Sequence, residues 1–450
     1  MTTTPWEKFS HGPWQATTVV PQLPPDEATR QKKDLPATLR PVPGEGVVQH
    51  PVYDPAANHH VLGMRLSEPR FANPDRGEAW FAARRHALDH VLAAVADSPW
   101  AEHLVLRGSV LLKAWFGDAA REPGDLDFVV VPDTWRLEDD RTDAMLDGIA
   151  RAAEAASRAA GGPVRIDAAG AVSDEIWTYD RVPGRRLVLP WTDATDATDG
   201  ADGTAGAEGL PPGTVQLDFV FNETLPAPPV RTAIPPLGGG GAGGSVSLMA
   251  ASPELSLVWK ILWLVSDMHP EAKDLYDAVL LAESVTVPYE LLKRVLTEAG
   301  EWSDLPYILG EAGEVDWPEF EKDYPDDPET GGGYLLRLVV ALSRGYAPDE
   351  AGAYARLAVA FEDVTVILRE EHAAGGMEAV ESWFACRVVS SICALITVRE
   401  LLGGRSECTL REAADVVVSL RDRSRGEDRP AVTPYHGDPH RLAARLEEMG

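Results

Sequence analysis

Cysteine is scarce in this sequence: Cys386, Cys393 and Cys408 are the only three in 450 residues. Three clustered cysteines cannot build a disulfide framework, and no His or Cys stands at zinc-finger spacing around them, so they read as small apolar fillers of helices. Positive charge is also short. Lys and Arg number 41 against 71 Asp and Glu, a net charge of −30, which argues against a broad cationic surface for nucleic acid or anionic membrane. The start of the chain, MTTTPWEKFSHGPWQ, lacks a basic stretch followed by an apolar one, so no secretory signal is read there. Long apolar runs are missing as well. The most apolar stretch, Leu255 to Val265, is short and carries Lys260 at its middle, which excludes a membrane span. These absences leave a cytoplasmic location as the expectation.

Hydrophobic residues at 44% and charged residues at 25% are the proportions of an ordinary globular protein. At roughly 150 residues per domain the length allows two or three domains. Residues 1–73, rich in Pro, Thr and charge with no sustained period, read as an irregular or flexible N-terminal arm. Residues 74–235 alternate helical and strand patterns, and residues 192–213, small and acidic, read as a flexible insertion between two strands. Residues 236–247 contain GGGGAGGS. That run lacks the Gly-Lys-Ser/Thr ending of a phosphate loop and reads as a linker. From 248 to 425 the periodicity is mostly helical, and 426–450 form a tail. The expected fold is α+β: a small mixed β-sheet core followed by a mostly α-helical domain.

The chemistry concentrates in Val105 to Val131, VLRGSVLLKAWFGDAAREPGDLDFVVV. On an extended strand Asp125 and Asp127 project from one face while Leu126 and Phe128 point from the other. Two carboxylates held so close invite a cation, and rigid oxygen ligands suit Mg²⁺. Asp218, in VQLDFVF, carries the same apolar flanks on another strand. Three carboxylates are what a two-metal phosphoryl-transfer site uses. Gly108 and Ser109 open a helix, where backbone N–H groups and a hydroxyl can receive phosphate.

The ordered set of strand, Gly-Ser turn, helix, Asp-Leu-Asp strand and later strand Asp resembles the nucleotidyltransferase fold of the DNA polymerase β superfamily. Within it the chain resembles the AbiEii/AbiGii toxin family. Arg121 stands four residues before Asp125, Lys260 lies on an apolar helix, and Lys273-Asp274-Leu275-Tyr276-Asp277 follows. Three positions depart from the family pattern. Ser109 replaces a second Gly, Pro123 stands where Ser or Thr is common, and Asp267 and Met268 lie where an Arg often stands.

The resemblance implies an enzyme that moves an NMP from an NTP to an acceptor hydroxyl and releases pyrophosphate. It implies two Mg²⁺ ions, replaceable by Mn²⁺, on Asp125, Asp127 and Asp218. Gly108, Ser109, Arg121, Lys260 and Asp274 would serve the nucleotide, with Asp125, Asp127, Asp218 and Lys260 catalytic. The partners implied are an NTP, tRNA or another RNA as acceptor, and a cognate antitoxin protein, with neither DNA nor membrane. Two alternatives stand beside it: transfer to a small molecule or a protein side chain, and a non-catalytic nucleotide-binding module. Elsewhere, His86 and His90 read as a polar helix face, Pro183-Gly184 as a hairpin turn with Arg181, Arg185 and Arg186 at its solvated tip, and Tyr435 to His440 as a loop.

Overall fold

A computed structural model of the chain describes residues 5–15, 17–178, 182–194, 209–239, 244–267, 270–315, 317, 330–387, 389–424 and 437–449. Most of the 192–213 insertion, the middle of the Gly-rich stretch, Arg181, Met268, Tyr435 and His436 lie outside the described residues. The chain divides into two units, Met1–Ser252 and Pro253–Gly450.

In the first unit, the N-terminal residues wrap irregularly around a short helix α1 (Glu27–Lys33) and two small hairpin-like pairings, β1 (Val47–Val48) with β4 (Arg70–Phe71) and β2 (Pro51–Tyr53) with β3 (Met64–Leu66). Trp6, Val20, Leu35, Leu39, Leu62 and Met64 close into a buried cluster of their own. That cluster gives the segment apolar burial to set against its ordering entropy, in spite of its composition.

Helix α2 (Pro74–Ala96) starts at an Asn73 cap and packs on α4 (Asp140–Ala159). The main sheet then runs in the order β11, β12, β5, β6, β10, β9, β7, with β8 also paired to β9. Its strands are β5 (Leu104–Arg107), β6 (Asp125–Val130), β7 (Val164–Ile166), β8 (Val172–Thr178), β9 (Val182–Asp193), β10 (Gly213–Val220), β11 (Val230–Ile234) and β12 (Val246–Ala250). β6 and β10 run parallel in the centre, and β5 and β9 flank them antiparallel. Leu126, Phe128, Leu217 and Phe219 are fully buried on one face, the two Phe rings stacked at 5.6 Å. Burial of each is worth about 1.5–3 kcal/mol. A one-residue slip would expose them and bury the aspartates, so the apolar face fixes the register of the polar one.

The Gly-rich stretch joins β11 to β12, paired strands of one sheet, and the two units divide after Ser252. Pro183-Gly184 is not a turn: both residues lie inside β9. Gly184 is required there because a Cβ would come within 2.8 Å of the Phe219 carbonyl oxygen and of the Ile176 side chain.

The second unit is helical. It opens with α5 (Pro253–Ser266) and α6 (Ala272–Ser284), which pack together. Further helices follow, among them Gly331–Tyr346, Glu362–Ala385, Ser391–Leu401 and Leu410–Ser424. Phe361 separates the helix Ala353–Ala360 from Glu362–Ala385, and non-helical Gly375 and Gly376 kink the latter. No described helix is long and apolar enough to cross a membrane.

Candidate active site

Sheet register sets the site. In one lateral row across four strands, Arg107 on β5 pairs with Asp127 on β6, Asp127 with Asp218 on β10, and Asp218 with Arg186 on β9. Lateral partners project to the same face, so two carboxylates stand side by side with an arginine outside each. Asp125 is one step along β6 on that face, opposite Gln216.

The turn before α3 (Ser109–Phe116) closes onto Asp127. Gly108 has φ +86°, a region that favours glycine, and a Cβ there would overlap the Asp127 carboxylate oxygen. Gly108 is therefore fixed twice, by backbone conformation and by the close approach of Asp127. The Ser109 hydroxyl oxygen is buried and has no hydrogen-bond partner among the described residues. An orphaned hydroxyl at a helix N-terminus is suited to a phosphate or a hydrated cation.

Asp218 is held differently. Arg186 donates to it from Nε at 2.9 Å and from Nη2 at 2.8 Å, and Gln216 donates at 3.2 Å. The third arm of the guanidinium, Nη1, reaches Asp54 at 2.6 Å. Burial opposes the charge on Arg186, but Asp218 and Asp54 together raise its pKa well above the ordinary value. Burial pushes the Asp218 carboxyl up. Arg186 pulls it back, and Asp125 and Asp54 push it up again, so it stays above the ordinary carboxylate value. Burial also acts against Asp54, yet Arg186 and Arg65 hold it below that value.

Among the described residues, no three His, Cys, Asp or Glu side chains gather closely enough to hold a metal ion by themselves. The residues still fit a hydrated Mg²⁺, because Asp125 and Asp127 share a rigid strand face beside the unpartnered Ser109 hydroxyl, and Mg²⁺ needs few protein carboxylates. Arg121 lies half-buried in the loop before β6. Arg121 is itself engaged, and its sequence neighbours form ion pairs, Glu122 with Arg85 at 2.9 Å and Asp118 with Lys113 at 3.4 Å.

In the helical unit, Lys260 on α5 is buried between Asp274 at 2.6 Å and Asp277 at 3.0 Å, both on α6, with its ammonium 4.7 Å from the centre of the Trp263 ring. Asp274 and Asp277, three apart, share a helix face. Asp277 thus joins the cluster that sequence resemblance assigned to Lys260 and Asp274 alone. Arg186 and Asp54 were not foreseen. Arg186 was read as a hairpin tip because Pro183-Gly184 resembled the turn, and its in-phase position two residues before Val188 on an apolar strand was the available signal. Nothing local marks Asp54, 132 residues from its partner. His86 and His90 lie half-buried on α2, beside Asp89, which accepts from the backbone of Leu237 and Gly238.

No curated protein is similar to the chain in sequence. Among solved structures, MenT4, a nucleotidyltransferase toxin from Mycobacterium tuberculosis, aligns at 17% identity with a TM-score of 0.35, over 63% of this chain and 88% of that one. The family model "Nucleotidyl transferase AbiEii toxin, Type IV TA system" matches residues 90–337, which span the Gly108 turn, all three aspartates and the Lys260 cluster. The chain is a nucleotidyltransferase and belongs to the AbiEii toxin family.

Proposed function

We propose that the chain transfers NMP from an NTP to the hydroxyl of an RNA acceptor, a tRNA end by family analogy, in a Mg²⁺-dependent reaction that releases pyrophosphate. The observation that carries this reading is the lateral row in which Asp127 and Asp218 stand side by side against the Gly108 turn.

Asp125 and Asp127 are the residues that would hold Mg²⁺, with Mn²⁺ able to replace it. Held there, such ions would supply positive charge to acidify the acceptor hydroxyl and shield the triphosphate. Asp218, beside Asp127 in the lateral row and with its orientation fixed by Arg186, is assigned to the acceptor hydroxyl. A carboxylate with a raised pKa is a better proton acceptor, so Asp218 orients the hydroxyl and takes its proton. The Gly108-Ser109 turn and the first N–H groups of α3 receive the β- and γ-phosphates. Lys260 keeps the triphosphate role that the resemblance implies, and Asp274 and Asp277 hold its charge.

The toxin family supports a cognate antitoxin as partner, and a cytoplasmic site of action follows from an NTP substrate. The acidic balance of −30 favours a second reading in which the acceptor is a small hydroxylated molecule or a protein side chain. Incubating the chain with each α-labelled NTP, Mg²⁺ and cell extract tests both. Label in RNA that falls steeply with salt supports the first, and label in small molecules or protein, insensitive to salt, supports the second. Mg²⁺-dependent NTP binding with no label in any fraction supports the non-catalytic module.

A further inference from the structure

The N-terminal residues lie outside the matched family region, which begins at residue 90, yet besides a bond from the Thr38 backbone N–H to Asp174 on β8 they reach the catalytic elements through one device used twice. Asp54 reaches Asp218 through Arg186. Glu68 accepts from Arg84 at 2.6 Å, and Arg84 in turn donates at 3.3 Å to the carbonyl of Pro123, in the loop that delivers Asp125. In each case an acid of the N-terminal segment anchors an arginine of the core, and the arginine holds a catalytic element. Arg186 and Asp54 are both buried, so their contact is not a solvated surface pair, whereas the pair of buried Arg84 with Glu68 is open to solvent on the Glu68 side.

The geometry at Arg186 is the more telling. A guanidinium is planar, so the arm held by Asp54 fixes the plane in which the other two arms meet Asp218. Charge follows the same geometry. Arg186 and Asp218 alone would neutralise each other, whereas with Asp54 the three side chains carry one negative charge over the set. The fork fixes the orientation of the Asp218 carboxylate.

We propose that Asp54 is a positioning residue for Asp218, acting through Arg186, so that the N-terminal segment is a working part of the nucleotidyltransferase site. The inference rests on the reading in which Asp218 serves the acceptor hydroxyl.

The test uses the full chain with α-labelled NTP, Mg²⁺ and cell extract, and compares wild type, D54N, D54E and D125A/D127A for kcat, KM for the NTP and melting temperature. D54N is expected to lose about 10- to 100-fold in kcat, the usual cost of removing a group that orients a reacting one, with KM for the NTP unchanged. D54E should recover part of the loss. Should D54N fail to fold because the buried Nη1 arm of Arg186 loses its anionic partner, D54N/R186Q removes both members of that ion pair and is expected to show the same kcat loss. Wild-type kcat in D54N or in D54N/R186Q overturns the proposal. So does a fall in kcat, KM and melting temperature together that D54E does not rescue, because that marks a merely structural contact. Full transfer by D125A/D127A, or no label from the wild-type chain, overturns the underlying reading instead and takes the positioning role with it.

Discussion

Asp54, Arg186 and Asp218 in the sheet unit and Asp274, Lys260 and Asp277 in the helical unit share one arithmetic: a buried cation between two carboxylates. The hardware differs. Arg186 spends all three arms in one plane, two of them on a single partner, so its set is rigid and its charge permanent. Lys260 is a point charge on a flexible stem, seated over Trp263, and an ammonium can turn toward a new partner without breaking a fork. The same charge count therefore comes with two kinds of constraint: the arginine set fixes a carboxylate in a plane, and the lysine set holds two carboxylates around a point charge.

The largest effect should come from the carboxylates that neither cation holds by a fork. If Asp125 and Asp127 carry the metal-bound phosphates, D125A/D127A should lose several kcal/mol of transition-state stabilisation, on the order of 10³-fold in transfer or more. Transfer close to wild type, measured with α-labelled NTP, would move the chemistry away from the sheet row and dissolve the comparison.

Stability separates the two sets next. K260M strands two carboxylates, one of them 1% exposed, and should cost about 3–5 kcal/mol in urea unfolding. K260M/D277N removes one of the stranded charges and should recover part of that cost. A K260M chain as stable as wild type would mean that the two acids find other partners and that Lys260 is not their keystone.

G108A probes the close approach at Asp127. The substitution places a methyl on the carboxylate oxygen and forces alanine to φ +86°, a strain on the order of 1–3 kcal/mol. Because Asp127 must move to relieve the overlap, transfer should fall by more than the loss of stability accounts for. Equal kcat in a folded G108A chain would show that the position of Asp127 against the turn is not critical.

How much of this was legible in the sequence depends on the range of each interaction. Asp125, Asp127 and Asp218 were visible because a period of two places them opposite buried Leu and Phe residues, and the strand pairing then aligns them. Gly108 was visible because a strand, a Gly-Ser turn and a helix follow one another directly. Lys260 and Asp274 came from resemblance, while Asp277, one turn further along the same helix face, has the shorter exposure and an equal claim on the lysine. Arg186 was misplaced by a Pro-Gly pair that looks like a turn and is a strand, because the crowding that demands Gly184 comes from neighbouring strands. β11 and β12 escaped notice beside the glycine run, since five-residue strands carry little periodic signal. Asp54 belongs to a segment whose composition reads as loop and whose contacts are all long-range.

The smallest predicted effect is also the one that tests whether Arg186 divides its two acids unequally. Asp54 is more acidic in the folded chain than the ordinary 3.8, so its contribution to stability is complete above that value and drains as pH falls below it. Asp218 is less acidic than 3.8 when folded, so its contribution is complete below that value and drains as pH rises through its raised pKa. Melting D54N, D218N and wild type from below pH 3.8 up to neutral pH should therefore give opposite trends. On acidification the deficit of D54N relative to wild type shrinks, because wild type loses what Asp54 gave. The D218N chain, in contrast, loses ground, because wild type regains a neutral Asp218. Parallel trends would mean that the guanidinium serves both carboxylates alike, and the sheet set would then differ from the lysine set only in its cation.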